Sequence, residues 1–164
     1  MRTLKSLIES YAQAGVLDAI LLRPDRLVAP VHVDYAQITD QGLDGDHGRP
    51  GKRSVTLVQA EHLAVIGAML GKDAIEATVL RRNLVISGLN LNALKGRHVQ
   101  IGEVLLQITT VCAPCSRMEA ALGQGGYSAM RGHGGWCASV IKGGQIKLGD
   151  AATPLSEIDE SNRS

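Results

Sequence analysis

Phenylalanine is absent from this chain, and one Trp with three Tyr makes up its whole aromatic complement. A core must therefore be built from Val, Ile, Leu and Ala. There is also no set of flat rings on which successive bases could stack, which argues against a reader of single-stranded nucleic acid. Cysteine is scarce and odd in number, three in all, so no disulfide framework is expected and a reducing cytoplasm is the natural compartment. Excess charge is lacking as well: the formal balance is +1, which speaks against general binding to nucleic-acid polymers or membrane surfaces. No apolar run is long enough to span a bilayer. Near the start, Glu9, Gln13 and Asp18 interrupt any secretory core, so no leader is expected.

What the chain does have is 164 residues, enough for one domain with a real core, and 19 Gly among β-branched runs. That combination predicts a strand-rich fold with many tight turns. Leu4, Leu7, Ile8 and Tyr11 repeat at helical spacing and predict a helix over residues 3–14. Residues 16–22 read as a strand stopped by Arg23-Pro24, and residues 31–38 as a second extended stretch. A charged, turn-rich loop occupies residues 42–53, and His47, Lys52 and Arg53 are its candidate site residues. It falls short of a calcium loop, since no Glu stands at the closing position. Residues 54–58 predict a strand, and residues 59–70 a helix with Leu63, Ile66 and Leu70 on one face and His62 at its surface. Arg81, Arg82 and Asn83 stand directly before a buried-looking strand, where guanidinium groups suit an anion. A hairpin turns at Gly102-Glu103. A second glycine-rich loop carries Arg131 and His133 but lacks the order of a phosphate-binding P-loop. Residues 136–141 and 145–148 predict another hairpin around Gly143-Gly144, and residues 151–164 read as a polar tail.

The stretch Cys112-Ala113-Pro114-Cys115-Ser116-Arg117-Met118-Glu119 stands out. It follows a strand-like run over residues 104–111 and precedes Met118, Ala121 and Leu122, spaced for a short helix. Pro114 suits the first turn of that helix. Cys115 would then lie at the positive helix end, with Arg117 nearby, an environment that favours thiolate. Cys112 and Cys137 read as small buried residues. A thioredoxin-type pair expects a long following helix, whereas Gly123–Gly126 ends this one early; a zinc site lacks its second half.

In order along the chain, Gly45-Asp46-His47, Ser54-Val55-Thr56-Leu57, Glu61, Arg82-Asn83-Leu84-Val85, Gly88-Leu89-Asn90-Leu91, Pro114-Cys115 and residues 143–150 resemble the MOSC domain. That module is named after the C-terminal part of molybdenum-cofactor sulfurases, and the resemblance covers about residues 42–150 of a single domain spanning 1–164. It implies a mainly β fold: a closed or partly open antiparallel β-barrel, similar to the pyruvate-kinase barrel, with a few peripheral helices. It further implies that Cys115 is the functional cysteine, either ligating molybdenum of a molybdopterin cofactor or carrying sulfur as a persulfide. The first role makes the protein an oxidoreductase for N-hydroxylated compounds, served by an electron-transfer protein. The second makes it a sulfur carrier fed by a cysteine desulfurase. His47, Lys52, Arg53, Arg82, Asn83, Arg117, Arg131 and His133 are the positions at which contacts to an anionic cofactor or small-molecule substrate are expected. No pyridoxal-phosphate domain accompanies the module in this sequence. A non-catalytic ligand-binding module and a Cys112/Cys115 dithiol oxidoreductase are the alternatives.

Overall fold

The computed structural model describes residues 2–156. Short strands form its frame. They are β1 (Gly15–Leu22), β2 (Val31–Val33), β3 (Tyr35–Thr39), β4 (Gly42–Leu43), β5 (Val55–Gln59), β6 (Leu84–Ser87), β7 (His98–Ile101), β8 (Val104–Val111), β9 (Trp136–Lys142), β10 (Gly144–Lys147) and β11 (Ala151–Pro154). In the main sheet the order is β11-β7-β8-β9-β5-β6-β1-β2, and a further β11–β1 pairing closes the ring, leaving β2 outside it. Closure leaves no open edges among the ring strands. The expected barrel is present, with one difference: β5 and β6 run parallel. A parallel pair needs a crossover, and α2 (Ala60–Met69) with α3 (Ala77–Leu80) supplies it.

Period-two alternation sorts the side chains into two cores. Val55, Leu57, Leu84, Ile86, Ile108, Trp136 and Ala138 fill the barrel interior. Val58, Val85 and Leu21 face outward against Ile66 of α2 and Leu80 of α3. The same outer core takes Met118 and Leu122 of α4 (Ser116–Leu122) and Ala129 and Met130 of α5 (Gly126–Met130). Burying Met118 and Leu122 contributes roughly 1.5–3 kcal/mol each, which anchors a helix too short to persist alone.

Several expectations are corrected. The first helix, α1, is only Leu4–Glu9, ending where the Ser10 N–H turns back to the Leu7 carbonyl; Gly15 already belongs to β1, paired with Ala152. The extended stretch at 31–38 is split at Asp34 into β2 and β3, which join different sheets. The second glycine-rich loop contains the helix α5. β9 and β10 do not form a hairpin, since β10 pairs with β3. The reason is local: Gly143 lies so close to β3 that an added Cβ would meet the Ile38 carbonyl oxygen at 2.5 Å, so the chain leaves the barrel there. Residues 151–154 are the closing strand β11, held between β1 and β7, and not tail. The rest of the expected tail, from residue 157 on, lies outside the described residues. No helix among the described residues is long and apolar enough to cross a membrane.

Candidate functional site

The outward positions of adjacent strands make a polar row on the barrel wall. Thr56 of β5 is the register partner of Cys137 of β9, and Asn83 stands one residue before Leu84, the partner of Leu57. Alternation that turns Leu57, Leu84 and Trp136 inward therefore turns Thr56, Asn83 and Cys137 to the same outer face. Asn83 is fully buried. Its Oδ1 accepts from the Thr56 backbone N–H and hydroxyl, and its Nδ2 donates to the Leu21 carbonyl and to Asp46 Oδ1.

Asp46 orders the loop that the glycines open. Its Oδ1 also accepts from the Arg23 backbone N–H at 2.7 Å and from Arg23 Nε at 3.0 Å; Oδ2 accepts from Arg23 Nη2 and from the Gly48 N–H, each at 2.9 Å. Burial alone would raise this carboxyl, but the hydrogen bonds and charge of Arg23, with Asn83 as a further donor, hold it below its ordinary 3.8. Asp46 thus fixes Arg23 as a rigid cation at the end of β1.

Two connected hollows open beside this row. The larger, about 500 Å³, is lined by Arg23, Arg26, His47, Gly48, Arg49, Arg53, Thr56, Val111, Cys112, Ala113 and Cys137. The smaller, about 170 Å³, shares Arg23, Arg26, His47 and Ala113 and adds Leu80, Arg81, Arg82, Cys115, Arg117 and Met118. Neither wall contains a carboxylate. In a chain of net charge +1, this concentration makes one strongly positive basin. The crowding is visible in Arg81, whose guanidinium is depressed by burial first and then by the charges of Arg117 and Arg23.

Two of these arginines brace the basin. Arg82, buried, donates from Nε to the Gly134 carbonyl at 2.8 Å, from Nη1 to Leu80 at 2.9 Å and from Nη2 to Cys112 at 3.4 Å. It thereby ties the strand entrance to both the Cys112 turn and the segment before β9. Arg81 is left-handed, with φ +58°, and grips the Val28 and Asp25 carbonyls, which holds the loop bearing Arg26.

The thiols divide between the two hollows. Cys115 is exposed, precedes α4 as its N-cap, and makes no side-chain capping bond; Pro114 therefore stands before the helix and not in its first turn. Cys112 is half-buried, its N–H donating to the Gly135 carbonyl at 2.9 Å. Interaction with the neighbouring Cys137 thiol, aided by the charges of Arg82, Arg23 and Arg53, outweighs burial and lowers Cys112 to about 6. The same interaction and burial push Cys137 up. Cys112, which sequence pattern makes core, thus faces the larger hollow.

Of the expected contact residues, His47, Arg53, Arg82, Arg117 and Cys115 line the basin. Lys52 lines neither hollow, and its backbone carbonyl accepts from the Thr109 hydroxyl. Asn83 stands behind the wall with its amide spent on protein groups. Arg131 and His133 line neither hollow: Arg131 is exposed, and the His133 ring packs edge-on against His62 at 5.0 Å between centroids. Sequence reasoning missed Arg23, Arg26, Arg49 and the Cys112–Cys137 pair. A signal for Arg23 existed in Asp46, an acid inside a basic loop that needs a partner once buried.

Fold and site together define a closed-barrel protein with a cationic, thiol-bearing basin on its outer wall. The family model of the MOSC domain matches residues 44–153, and the chain belongs to the MOSC domain family, which is associated with molybdenum-cofactor binding. Among solved structures, the YuaD protein from Bacillus subtilis is similar at TM-score 0.75 and 16% identity, over 85% of this chain and 94% of that one. YiiM from Escherichia coli is similar at TM-score 0.70 and 21% identity, over 87% and 70%. YiiM from Geobacillus stearothermophilus gives TM-score 0.72 and 16% identity, over 87% and 75%. At these identities the likeness concerns the fold. No curated protein sequence matches the chain significantly.

Proposed function

We propose that the basin binds an anionic, phosphorylated molybdenum–pterin cofactor, with Cys115 as the thiolate ligand, and that N-hydroxylated compounds are reduced there. The observation that carries this reading is the lining: arginines from several separate segments, no carboxylate, and a thiol at the rim. Guanidinium forks suit phosphate oxygens, and thiolate suits a soft metal. Arg49 and Arg53 would hold the phosphate, and Arg23, immobilised by Asp46, would orient it at little entropic cost. When bound, the cofactor supplies two-electron redox chemistry. The reaction breaks the substrate N–O bond, consumes two electrons and two protons, and releases water. His47 borders both hollows and would deliver a proton to the departing oxygen. The electrons come from a separate electron-transfer protein.

A second reading is favoured by the exposure of Cys115, which leaves its sulfur within reach of another protein. Here Cys115 accepts sulfur from a cysteine desulfurase and carries it as a persulfide. Elemental analysis of protein made in a cofactor-competent host tests the first reading. Molybdenum should co-purify with wild type and be lost from Cys115→Ser; equal molybdenum in both defeats it. The second requires cyanide-releasable sulfur on Cys115 after incubation with a desulfurase and cysteine, and its absence defeats that one.

A further inference from the structure

The larger hollow contains a chemistry that the Cys115 reading leaves unused. Cys112, directly after β8, and Cys137, within β9, share one wall of the hollow. Their frame is rigid. The Cys112 N–H is held by the Gly135 carbonyl, its own carbonyl by Arg82, and Cys137 sits within β9 opposite Thr56. Around them the lining is cationic, and Arg26, His47, Arg49 and Arg53 are exposed, so the hollow opens to solvent on that side. Two neighbouring thiols, a cationic mouth and an open path are the parts of a disulfide-reducing centre that selects anions.

We propose that Cys112 and Cys137 form a thiol–disulfide exchange site for small anionic disulfides. The Cys112 thiolate attacks one sulfur of the bound disulfide, forming a mixed disulfide and expelling the first half as thiolate. Cys137 then attacks the Cys112 sulfur, its proton passing to a departing thiolate, and the second half leaves. The protein dithiol is oxidised to one Cys112–Cys137 disulfide while one substrate disulfide is reduced to a thiol and a thiolate, so two electrons are exchanged and no metal takes part. Exposure assigns the roles: Cys112, half-buried at the hollow, is the attacking sulfur, and the buried Cys137 the resolving one. The site shares its cationic hollow with the cofactor reading but uses different sulfurs from Cys115, and it is scored by a different signal.

Glutathione disulfide is the probe, applied to the reduced full-length chain with products followed by intact mass and peptide mapping. Wild type should lose two of its three free thiols and yield a peptide linking Cys112 to Cys137. Cys137→Ala, and Cys137→Ser as a second form, should stop at a glutathione adduct on Cys112. Cys112→Ser should react at least about tenfold more slowly. Cystamine, a cationic disulfide, should be about tenfold slower than glutathione disulfide at low salt, and Arg53→Gln should narrow that gap. A Cys112–Cys115 link in wild type, an adduct confined to Cys115, or equal rates for the two disulfides would overturn the proposal. Should a cysteine variant fail to fold, the wild-type map and the two-disulfide comparison still decide. Molybdenum content is measured separately, so failure here leaves the cofactor reading standing.

Discussion

Asn83 and Thr56 cap each other across the parallel β5–β6 pair: the Asn83 backbone N–H donates to Thr56 Oγ1 at 2.9 Å, and the Thr56 backbone N–H donates to Asn83 Oδ1 at 3.1 Å. Each side chain completes the other's backbone at a buried strand entrance, and the spare Asn83 donors reach Leu21 and Asp46. Asn83→Ala leaves several of these groups unsatisfied and should cost roughly 3 kcal/mol. Urea unfolding measures it; a loss under about 0.5 kcal/mol, the usual effect of a surface change, would mean that the pair is not structural.

Asp46→Ala should cost roughly 3 kcal/mol, because it strands the Arg23 guanidinium. The acid limb follows from the direction of its shift. The folded carboxyl is held below 3.8, so its contribution is present above that value and is lost as pH falls through the lower, folded one. Asp46→Asn should therefore flatten the fall in stability on the acid side of pH 4. An acid limb identical to that of wild type would exclude Asp46 as its source.

Cys112 should be alkylated by neutral iodoacetamide with a half-maximal rate near pH 6, well under the roughly 8.5 of a free thiol. Cys137→Ala removes the neighbouring thiol that lowers Cys112 and should move that midpoint upward. Mass spectrometry of Cys112 against pH gives the answer, and a midpoint unmoved by the variant would remove Cys137 as the cause.

Gly135→Ala should be far more damaging than Gly132→Ala, although both glycines have positive φ, +98° and +83°. A Cβ at Gly135 would meet the Leu57 carbonyl oxygen at 2.0 Å, whereas one at Gly132 meets nothing within 4 Å. The second change carries only the left-handed penalty of about 1–2 kcal/mol; the first adds displacement of β5 beneath the site. Thermal melting of the two variants should separate them clearly, and equal melting temperatures would contradict the close approach.

Barrel strands were readable where apolar and β-branched residues fill a full element, as in residues 54–58 and 104–111, a composition that suits a pleated sheet. The site was legible in part. Arg82, Cys115 and His47 belong to short ordered motifs, and those motifs point to the family. Cys112 was not legible, because its direction depends on register shifts in the β8–β9 ladder between Ile108 and Val111. Such a shift redirects every later side chain without changing the local pattern. The β9–β10 hairpin failed for a related reason: Gly143-Gly144 carries ordinary hairpin chemistry, and only the proximity of β3 shows that the chain continues into another sheet. β11 was hidden by its brevity and its polar neighbours.

The seam formed by β11 bears on how the protein is made. Gly15 and Val16 of β1 find their partners Ala152 and Ala151 only when that strand is available, and β7 waits for it too. During vectorial synthesis the Gly15–Val16 end of β1, which β2 does not cover, must therefore keep its edge unpaired until β11 follows, a delay of seconds at ordinary elongation rates of about 5–20 residues per second. Through that interval β1 is a template for strand addition. The nascent chain thus has its greatest risk of aggregation just before the ring can shut.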